Sequence, residues 1–355
     1  MPKTIMQLIK SALGNKVFPG GVLLASKEGH VLVSEAFGST DFDQGISVSL
    51  DTIYDLASLT KPLATTLAIL YLIDPSNLRL DQTLGELLPA CSGTDKSDIT
   101  VTHLLAHCSG LPGYRPYWKE LTGQTALERD ADLKSRIVQE PLEHPVGSTT
   151  TYSDLGFMFL RWVVEQVSGV KMSQLVEKEI FRPLGIENLF FPGARELAAG
   201  RFAPTEMCTW RNKLVQGRVH DENAYAVGGV DGHAGLFGTA SAVHDLLWKI
   251  VRAYKERTYE DVLPQGQVQA FLNYGKGKDR ALGFDRPTQP GSSSGSHFSE
   301  NSVGHLGFTG TSFWMDLEKN ICVVLLTNRI HPSRDNEKIK GFRPILHDAV
   351  MEFIV

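Results

Sequence analysis

The feature that most constrains the fold is that strand patterns stand at both ends of the chain, with helical patterns between them. Residues 20–37 read as two strands joined by a tight turn, because Gly29 can supply the positive φ that such a turn needs. Further strand patterns lie at Ala281–Phe284, Ser302–Phe308, Thr311–Asp316 and Ile321–Thr327. Strands so far apart share a core when both ends of the chain enter one sheet. We therefore predict an α+β fold with one antiparallel sheet.

Helical patterns account for most of the remaining chain. Apolar residues recur at helical spacing from Leu59 to Ile73, and Asp74-Pro75 then ends the pattern. The N-terminal segment and residues 336–354 also read as helices, which we expect to cover the sheet. We predict an α/β lobe made of residues 1–56 and 237–355. A mainly helical lobe, residues 57–236, is inserted into it, with a cleft between the two.

Composition excludes several classes of protein. The chain has 355 residues, of which 42% are hydrophobic and 21% charged, as in ordinary globular proteins. Its formal net charge is -5, without a basic stretch, which argues against a nucleic-acid partner. No apolar run reaches the roughly 18 residues of a membrane span, and the N-terminus does not resemble an export signal. We therefore expect a cytoplasmic protein with no membrane association, whose four cysteines are free thiols.

The sharpest chemical signal is Ser58-Leu59-Thr60-Lys61, where a loop enters the first apolar helix. A spacing of three places both side chains on one helix face, so the Lys amine can reach the Ser hydroxyl. Burial lowers the pKa of a lysine, and a helix N-terminus stabilises negative charge. The same spacing occurs at Ser168 to Lys171, where a helix ends, so the pattern alone does not identify a nucleophile.

Two further segments carry suitable groups. Tyr152-Ser153-Asp154 stands at the start of a predicted helix, with Ser153 or Asp154 as its N-cap, and can present a phenol to a neighbouring cleft. Residues 304–311 contain three glycines between two predicted strands, where a bare backbone can lie close against a ligand.

With these segments in place, the chain resembles the penicillin-recognising serine hydrolases. The resemblance is closest to the class C β-lactamase-like group, which includes D-Ala-D-Ala carboxypeptidases and family VIII carboxylesterases. Its three elements, Ser-x-x-Lys, Tyr-x-Asn and Lys-Thr-Gly, match Ser58-Leu59-Thr60-Lys61, Tyr152-Ser153-Asp154 and His305-Leu306-Gly307 in that order. Residues 104–112 also resemble the family's Leu-Leu-x-His-Thr-Ser-Gly-Leu-Pro stretch, and residues 228–237 extend the likeness over nearly the whole chain. It implies a β-lactamase/DD-peptidase-like fold.

The resemblance also implies roles for individual residues. Ser58 would attack a carbonyl and form an acyl-enzyme, while Lys61 and Tyr152 handle protons. The backbone N–H groups of Ser58 and Phe308 would form the oxyanion hole. Asp154, His305 and Gly307 would contact the substrate. Neither a metal nor a cofactor is implied.

Two positions depart from the family pattern. Asp154 replaces the usual Asn, and a carboxylate beside Lys61 favours its charged form, which shifts part of the base role to Tyr152. His305 replaces the usual Lys and is mostly neutral at pH 7, so it attracts a substrate carboxylate less. The change at His305 favours esters or amides that lack the penicillin-type carboxylate.

Other motifs have weaker functional interpretations. A metal-dependent hydrolase would use imidazoles from His103, His107, His220 or His233. His103 and His107, however, lack the Glu of a zinc motif and stand among apolar residues. The Gly291–Gly295 run fits Gly-x-Ser-x-Gly without the strand and helix that motif requires. His220, Asp221 and His233 are candidates for lining the cleft.

We therefore predict a serine hydrolase that forms an acyl-enzyme through Ser58, and we favour a carboxylesterase acting on small esters. The alternatives are a β-lactamase or D-Ala-D-Ala carboxypeptidase, and a non-catalytic relative that binds ligands. The expected partner is a small ester, amide or β-lactam, and the oligomeric state is left open.

Overall fold

A seven-stranded antiparallel sheet joins the two ends of the chain in the computed structural model, which describes residues 2–43, 45–74, 76–192, 199–288 and 290–355. The strands are β1 (Gly20–Lys27), β2 (His30–Gly38), β3 (Tyr54–Asp55), β4 (Leu189–Phe190), β5 (Met207–Cys208), β6 (Lys213–Leu214), β7 (Phe237–Gly238), β8 (Arg280–Ala281), β9 (Phe284–Asp285), β10 (Ser302–Leu306), β11 (Ser312–Asp316) and β12 (Ile321–Thr327). The large sheet has the order β2-β1-β12-β11-β10-β9-β8. Pro75, part of the expected helix stop, lies outside the described residues.

The pairing of β1 with β12 connects the N-terminal and C-terminal strands of this sheet, and it runs from Gly21 opposite Thr327 to Lys27 opposite Ile321. Alternate residues of both strands enter two different cores. Leu23 and Val323 belong to the core under the terminal helices, whereas Val22 and Val324 belong to the larger core on the opposite face. Because both faces are covered, β12 is apolar along its whole length.

The helices of the described residues are α1 (Lys3–Gly14), α2 (Thr66–Leu72), α3 (Leu84–Leu87), α4 (Val101–Leu105), α5 (Ala126–Gln139), α6 (Asp154–Ser168), α7 (Met172–Leu175), α8 (Glu222–Ala226), α9 (Ala240–Lys255), α10 (Gln265–Asn273) and α11 (Ile339–Ile354). The terminal helices α1 and α11 cover one face of the sheet, where Ile5 and Leu346 are fully buried. On the other face, α9 packs against β1 and β12. The predicted α+β fold, with terminal helices over an antiparallel sheet, is confirmed. The lobe boundaries stay a prediction.

The helix expected from Leu59 to Ile73 is less regular than the pattern suggests. Ala57–Leu59 forms a 3₁₀ turn, Lys61–Thr65 forms a wide π-helical turn, and only Thr66–Leu72 is α-helical. Pro62 gives a physical reason, since it has no N–H to donate to the preceding turn. The irregular stretch holds both ends of the Ser-x-x-Lys element.

The strand expected at Ala281–Phe284 is instead a tight hairpin. Its centre is Gly283, whose φ is +77° and whose N–H donates to the Leu105 carbonyl at 2.9 Å. A Cβ at this glycine would lie 2.0 Å from the Thr66 hydroxyl oxygen. The turn therefore fits closely against the helical part of the molecule, and only glycine allows that approach.

Candidate active site

Most of the site residues predicted from sequence line one cavity of about 610 Å³. Its walls include Ser58, Tyr152, Asp154, His305, Gly307 and Phe308. Lys61 lies behind this wall, with a fully buried side chain. Segments that are far apart in the chain thus meet around one open space.

The loop before Ser58 is held by a buried carboxylate. Asp55 accepts hydrogen bonds from the backbone N–H groups of Ala57, at 2.9 Å, and His220, at 2.6 Å. Burial raises the pKa of Asp55 to about 6, although both hydrogen bonds oppose the shift. Ala57 itself has a φ of +47°, an unusual conformation for a residue with a Cβ. Backbone strain therefore sits directly beside the proposed nucleophile.

Lys61 connects Ser58 to the Tyr-x-Asp segment. Its Nζ donates to Ser58 Oγ at 3.0 Å, to Asp154 Oδ1 at 2.7 Å and to the His233 carbonyl at 3.4 Å. Burial acts to lower the pKa of Lys61, as expected from the sequence, but Asp154 and Tyr152 outweigh it and raise the pKa to about 12. Lys61 is therefore an ammonium ion at neutral pH.

Tyr152 is held at the start of α6 by its neighbour Ser153. Ser153 caps the helix by accepting from Gly156 N at 3.2 Å, and its own N–H donates to His107 Nδ1 at 2.9 Å. The phenol ring lies over Lys61, whose Nζ is 4.7 Å from the ring centroid. Burial raises the pKa of Tyr152, while its interactions with Lys61 and Ser58 oppose that shift. The phenol is thus coupled to both members of the Ser-x-x-Lys element.

His305 faces the same space from β10. Its Nδ1 lies 2.9 Å from the Leu306 carbonyl oxygen, and its ring centroid is 5.9 Å from that of Tyr152. Burial lowers the pKa of His305 to about 4, so the imidazole is neutral at pH 7. The expectation of a neutral group here agrees with the structure, and the cause is burial.

The second proposed oxyanion donor lies in the turn after β10. Among the described residues, no backbone carbonyl accepts a hydrogen bond from the Phe308 N–H. The Phe308 carbonyl, by contrast, accepts from Arg329 Nε at 2.9 Å. The Thr309 and Thr311 hydroxyls donate to the carbonyls of Asp55 and Leu56, at 2.7 and 3.1 Å. These bonds tie the turn to the loop that carries Ser58.

Histidines considered in the sequence analysis have several different environments. His220 and His233 line the cavity, each bound to a carboxylate: His220 Nε2 lies 2.8 Å from Glu206, and His233 Nε2 lies 2.9 Å from Asp221. Burial opposes protonation of His233, but Asp221 outweighs it and raises the pKa to about 9. His103 instead accepts from the Thr100 N–H at the start of α4.

The cavity also contains charged residues that the sequence motifs do not mark. Arg280 and Asp285 come from the β8–β9 hairpin, whereas a second basic group comes from the chain after β12. The members of that basic group are Arg329, Arg334, Lys340 and Arg343. Basic residues recur from 329 to 343 in the sequence, with Asp335 and Glu337 between them, but nothing in that pattern located these side chains beside Ser58.

Comparison with known proteins identifies the family. A family model described as Beta-lactamase matches residues 5–343. The chain belongs to this beta-lactamase family. It is a family of serine hydrolases that includes esterases, peptidases and amidases, so the predictions of family and enzyme class are confirmed.

Curated relatives of this beta-lactamase-family chain are named as an amidase and as carboxypeptidases. An "N-acetylmuramyl-L-alanine amidase" of Bacillus subtilis (strain 168) is 32% identical over 352 residues, covering 88% of this chain and 78% of the relative. A "Putative D-alanyl-D-alanine carboxypeptidase" of Escherichia coli (strain K12) is 28% identical over 354 residues, covering 90% of this chain and 81% of the relative.

Solved structures support the same fold. EstCE1, described as a hydrolase with promiscuous acyltransferase activity, superposes with a TM-score of 0.75 at 22% identity, covering 96% of this chain and 98% of EstCE1. A penicillin-binding protein homologue from Caulobacter crescentus gives a TM-score of 0.72 at 17% identity, covering 99% of this chain and 98% of the homologue.

Within the described ranges, no helix has the length and apolar character needed to span a membrane.

Proposed function

We propose that this chain hydrolyses small carboxylic esters through an acyl-enzyme formed on Ser58. The observation that carries the proposal is the 3.0 Å contact between Lys61 Nζ and Ser58 Oγ at the wall of an open cavity. A hydroxyl in contact with a buried cation and a phenol has the partners that an activated nucleophile requires.

Proton transfer depends on Lys61 and Tyr152 acting as one coupled pair. When the pair loses one proton, the hydrogen bond from Lys61 to Asp154 keeps the ammonium charged, so the phenolate of Tyr152 is the favoured basic form. That phenolate takes the Ser58 proton as Oγ bonds to the carbonyl carbon. The carbonyl π electrons move to the oxygen, which accepts hydrogen bonds from the N–H groups of Ser58 and Phe308.

Collapse of the tetrahedral intermediate completes acylation. The carbon–oxygen bond to the leaving alcohol breaks, and Tyr152 returns the proton to the departing oxygen. A water molecule then attacks the acyl carbon while Tyr152 accepts a proton from it. The bond from the acyl carbon to Ser58 Oγ breaks as Tyr152 returns that proton to Oγ, which releases the carboxylic acid and restores the Ser58 hydroxyl and the phenolate. Lys61 keeps its positive charge throughout and stabilises the phenolate in each half-reaction.

The uncharged state of His305 supports a neutral ester as substrate. An imidazole whose pKa lies near 4 offers no cation to a substrate carboxylate at pH 7. The cavity volume of about 610 Å³ is within the range of ordinary small-molecule sites.

Covalent labelling tests the proposal. Incubation with a fluorophosphonate, followed by intact-mass measurement, is expected to add one adduct to the native chain and none to Ser58→Ala. Ser168→Ala is the matched control, because Ser168 begins the second Ser-x-x-Lys sequence but does not line the cavity. No adduct on the native chain, or an adduct that survives Ser58→Ala, would refute the assignment.

A second candidate is hydrolysis of an amide whose substrate bears a carboxylate. Arg343 favours it, because this buried guanidinium lines the cavity and its Nε has no hydrogen-bond partner among the described residues. Its Nη2 donates instead to the Thr311 carbonyl at 2.8 Å. The names of the curated relatives add support, since amidases and carboxypeptidases of that kind cleave amide bonds.

Substrate profiling separates the two candidates. Catalytic efficiency would be compared for three compounds. They are a p-nitrophenyl ester with a neutral acyl chain, the same ester with a terminal carboxylate, and an N-acyl-L-alanine, in which the bond to be cleaved is an amide and the carboxylate is free. Faster turnover of the neutral ester supports the esterase. A preference for the carboxylate-bearing compounds, with turnover of the amide, supports the amidase.

A further inference from the structure

A short hairpin brings a second cation to the proposed base. Arg280 lies on β8 with its Cζ 5.2 Å from the centroid of the Tyr152 ring, and it lines the cavity. Its guanidinium forms a salt bridge with Asp285, directly across the hairpin on β9, and each side chain is 22% exposed. The Arg280 guanidinium is therefore partly shielded from solvent. A charge in such a position acts more strongly on its neighbours than one at an open surface.

The hairpin is fixed on two sides. Gly283 at its tip bonds to the Leu105 carbonyl and sits against Thr66, in the helix that follows Lys61. On the other side, Asp285 pairs with Gly304 of β10, next to His305. Arg280 is thus positioned relative to both walls that hold the Tyr152 ring.

The ionisable groups around Tyr152 include two neutral imidazoles. The His107 ring centroid is 4.7 Å from that of Tyr152, and its Nδ1 accepts the Ser153 N–H. Burial holds the pKa of His107 well below its usual value, and the positive charge of Arg280 acts in the same direction. His305 is neutral for the same two reasons, despite the opposing effect of Asp285.

Three charged side chains of the described residues act on Tyr152 or lie against its ring. Asp154 is the anion, and Lys61 and Arg280 are the cations that lie against its ring. Lys61 is bound to Asp154 at 2.7 Å, which weakens its field at the phenol. In the part of the chain that the structure describes, Arg280 is the second cation over the ring, and Asp285 weakens its field in turn.

We propose that Arg280 is a positioning residue for the reaction, holding Tyr152 in place and stabilising its phenolate through the positive charge that Asp285 orients. The proposal rests on the function proposed for Ser58, since it concerns how the Ser58 proton is removed. The role proposed for Arg280 does not require it to bond to the substrate. Its charge favours loss of the Tyr152 phenol proton to solvent, which raises the fraction of the protein in the basic form that then accepts the Ser58 proton.

The rate of fluorophosphonate labelling as a function of pH tests this inference. Labelling should accelerate as pH rises and the Lys61–Tyr152 pair loses a proton. Arg280→Gln should move this rise to higher pH by about one unit, which lowers the labelling rate approximately tenfold at a fixed pH on the rising part of the curve. The maximal labelling rate at high pH should stay within about threefold of that of the native chain. Arg280→Lys retains the charge and should recover most of the shift. A purely structural role would instead lower the rate by one factor at every pH.

Two further variants keep the test decisive. Asp285→Asn removes the anion that weakens the Arg280 field but keeps a side-chain oxygen that can accept a hydrogen bond from the guanidinium and so keep it oriented. The rise should therefore move to lower pH, a prediction of opposite sign that does not require Arg280→Gln to fold. Arg252→Gln, which removes an α9 surface pair with Glu256, should leave the profile unchanged. Unchanged profiles in folded Arg280→Gln and Asp285→Asn overturn the inference. Failure of the native chain to label at Ser58 overturns the proposed function instead.

Discussion

Replacing Asp154 by Asn tests the electrostatics of the site most directly. The side chains have nearly the same shape, and Asn restores the residue that the family pattern has at this position. The substitution removes a carboxylate 2.7 Å from the Lys61 ammonium while leaving an oxygen that can accept its hydrogen bond. Only the charge changes appreciably, so changes in rate and stability report on that charge.

The expected magnitude follows from the opposing effects on Lys61. With Asp154 present, the pKa of Lys61 is raised to about 12, and burial alone would place it below the ordinary 10.5. Asp154 also raises the pKa of Tyr152, so its loss favours release of a proton from either member of the pair. We expect the alkaline rise in labelling rate to move down by at least about one pH unit, since a neighbouring charge typically shifts a pKa by about 1–3 units.

The same change should destabilise the fold near neutral pH. The folded-state pKa of Lys61 is raised, so the stability it contributes is present below pH 10.5 and is lost as pH rises through about 12. Replacing the carboxylate by an amide removes that contribution, and a buried ammonium left without its anion costs on the order of 3 kcal/mol. Asp154→Asn should therefore be less stable than the native chain at pH 7 and lose less stability on going to pH 12.

The assay combines fluorophosphonate labelling rates from pH 6 to 11 with urea unfolding at pH 7. Asp95→Asn is the matched control, because Asp95 pairs with another buried lysine, Lys96, at 2.6 Å and lies outside the cavity. It should leave the labelling profile unchanged. A profile for Asp154→Asn that stays in place, or moves to higher pH, would show that Asp154 does not hold the proton on the Lys61–Tyr152 pair.

Two further substitutions test other parts of this structure. His233→Gln should destabilise the fold by on the order of 3 kcal/mol at pH 6 and by much less at pH 10. The reason is that Asp221 raises the pKa of His233 to about 9, so the stability from this pair is present below pH 6.5 and is lost as pH rises through 9. Urea unfolding at both pH values checks this. Gly283→Ala should lower the free energy of unfolding by about 2 kcal/mol or more, because its Cβ would lie 2.0 Å from Thr66 and its φ is +77°. Gly266→Ala should not destabilise the fold, because its Cβ would meet nothing within 4 Å. Equal unfolding midpoints for the two variants would contradict this reasoning.

Sequence patterns predicted the parts of this fold that depend on local periodicity. The β-rich runs at β1 and β12 predicted strands, and Ile321–Thr327 and Asp154–Ser168 have the predicted bounds. Local patterns failed where a specific residue breaks the regular ladder. Pro62 widens the turn after Lys61, and Gly283 divides one expected strand into a hairpin.

The site shows the same limit in its electrostatics. A helical spacing of three was enough to bring Ser58 and Lys61 together, because that contact is local. The protonation state of Lys61 depends instead on Asp154, which is 93 residues away, and no periodicity encodes a distance of that kind. The presence of Asp rather than Asn at position 154 by itself predicts a weaker base at Lys61. Arg280 provides a physical reason why Tyr152 can still act as the base for Ser58. Its positive charge lies over the Tyr152 ring and stabilises the phenolate, whereas the neutral His305 contributes no positive charge there.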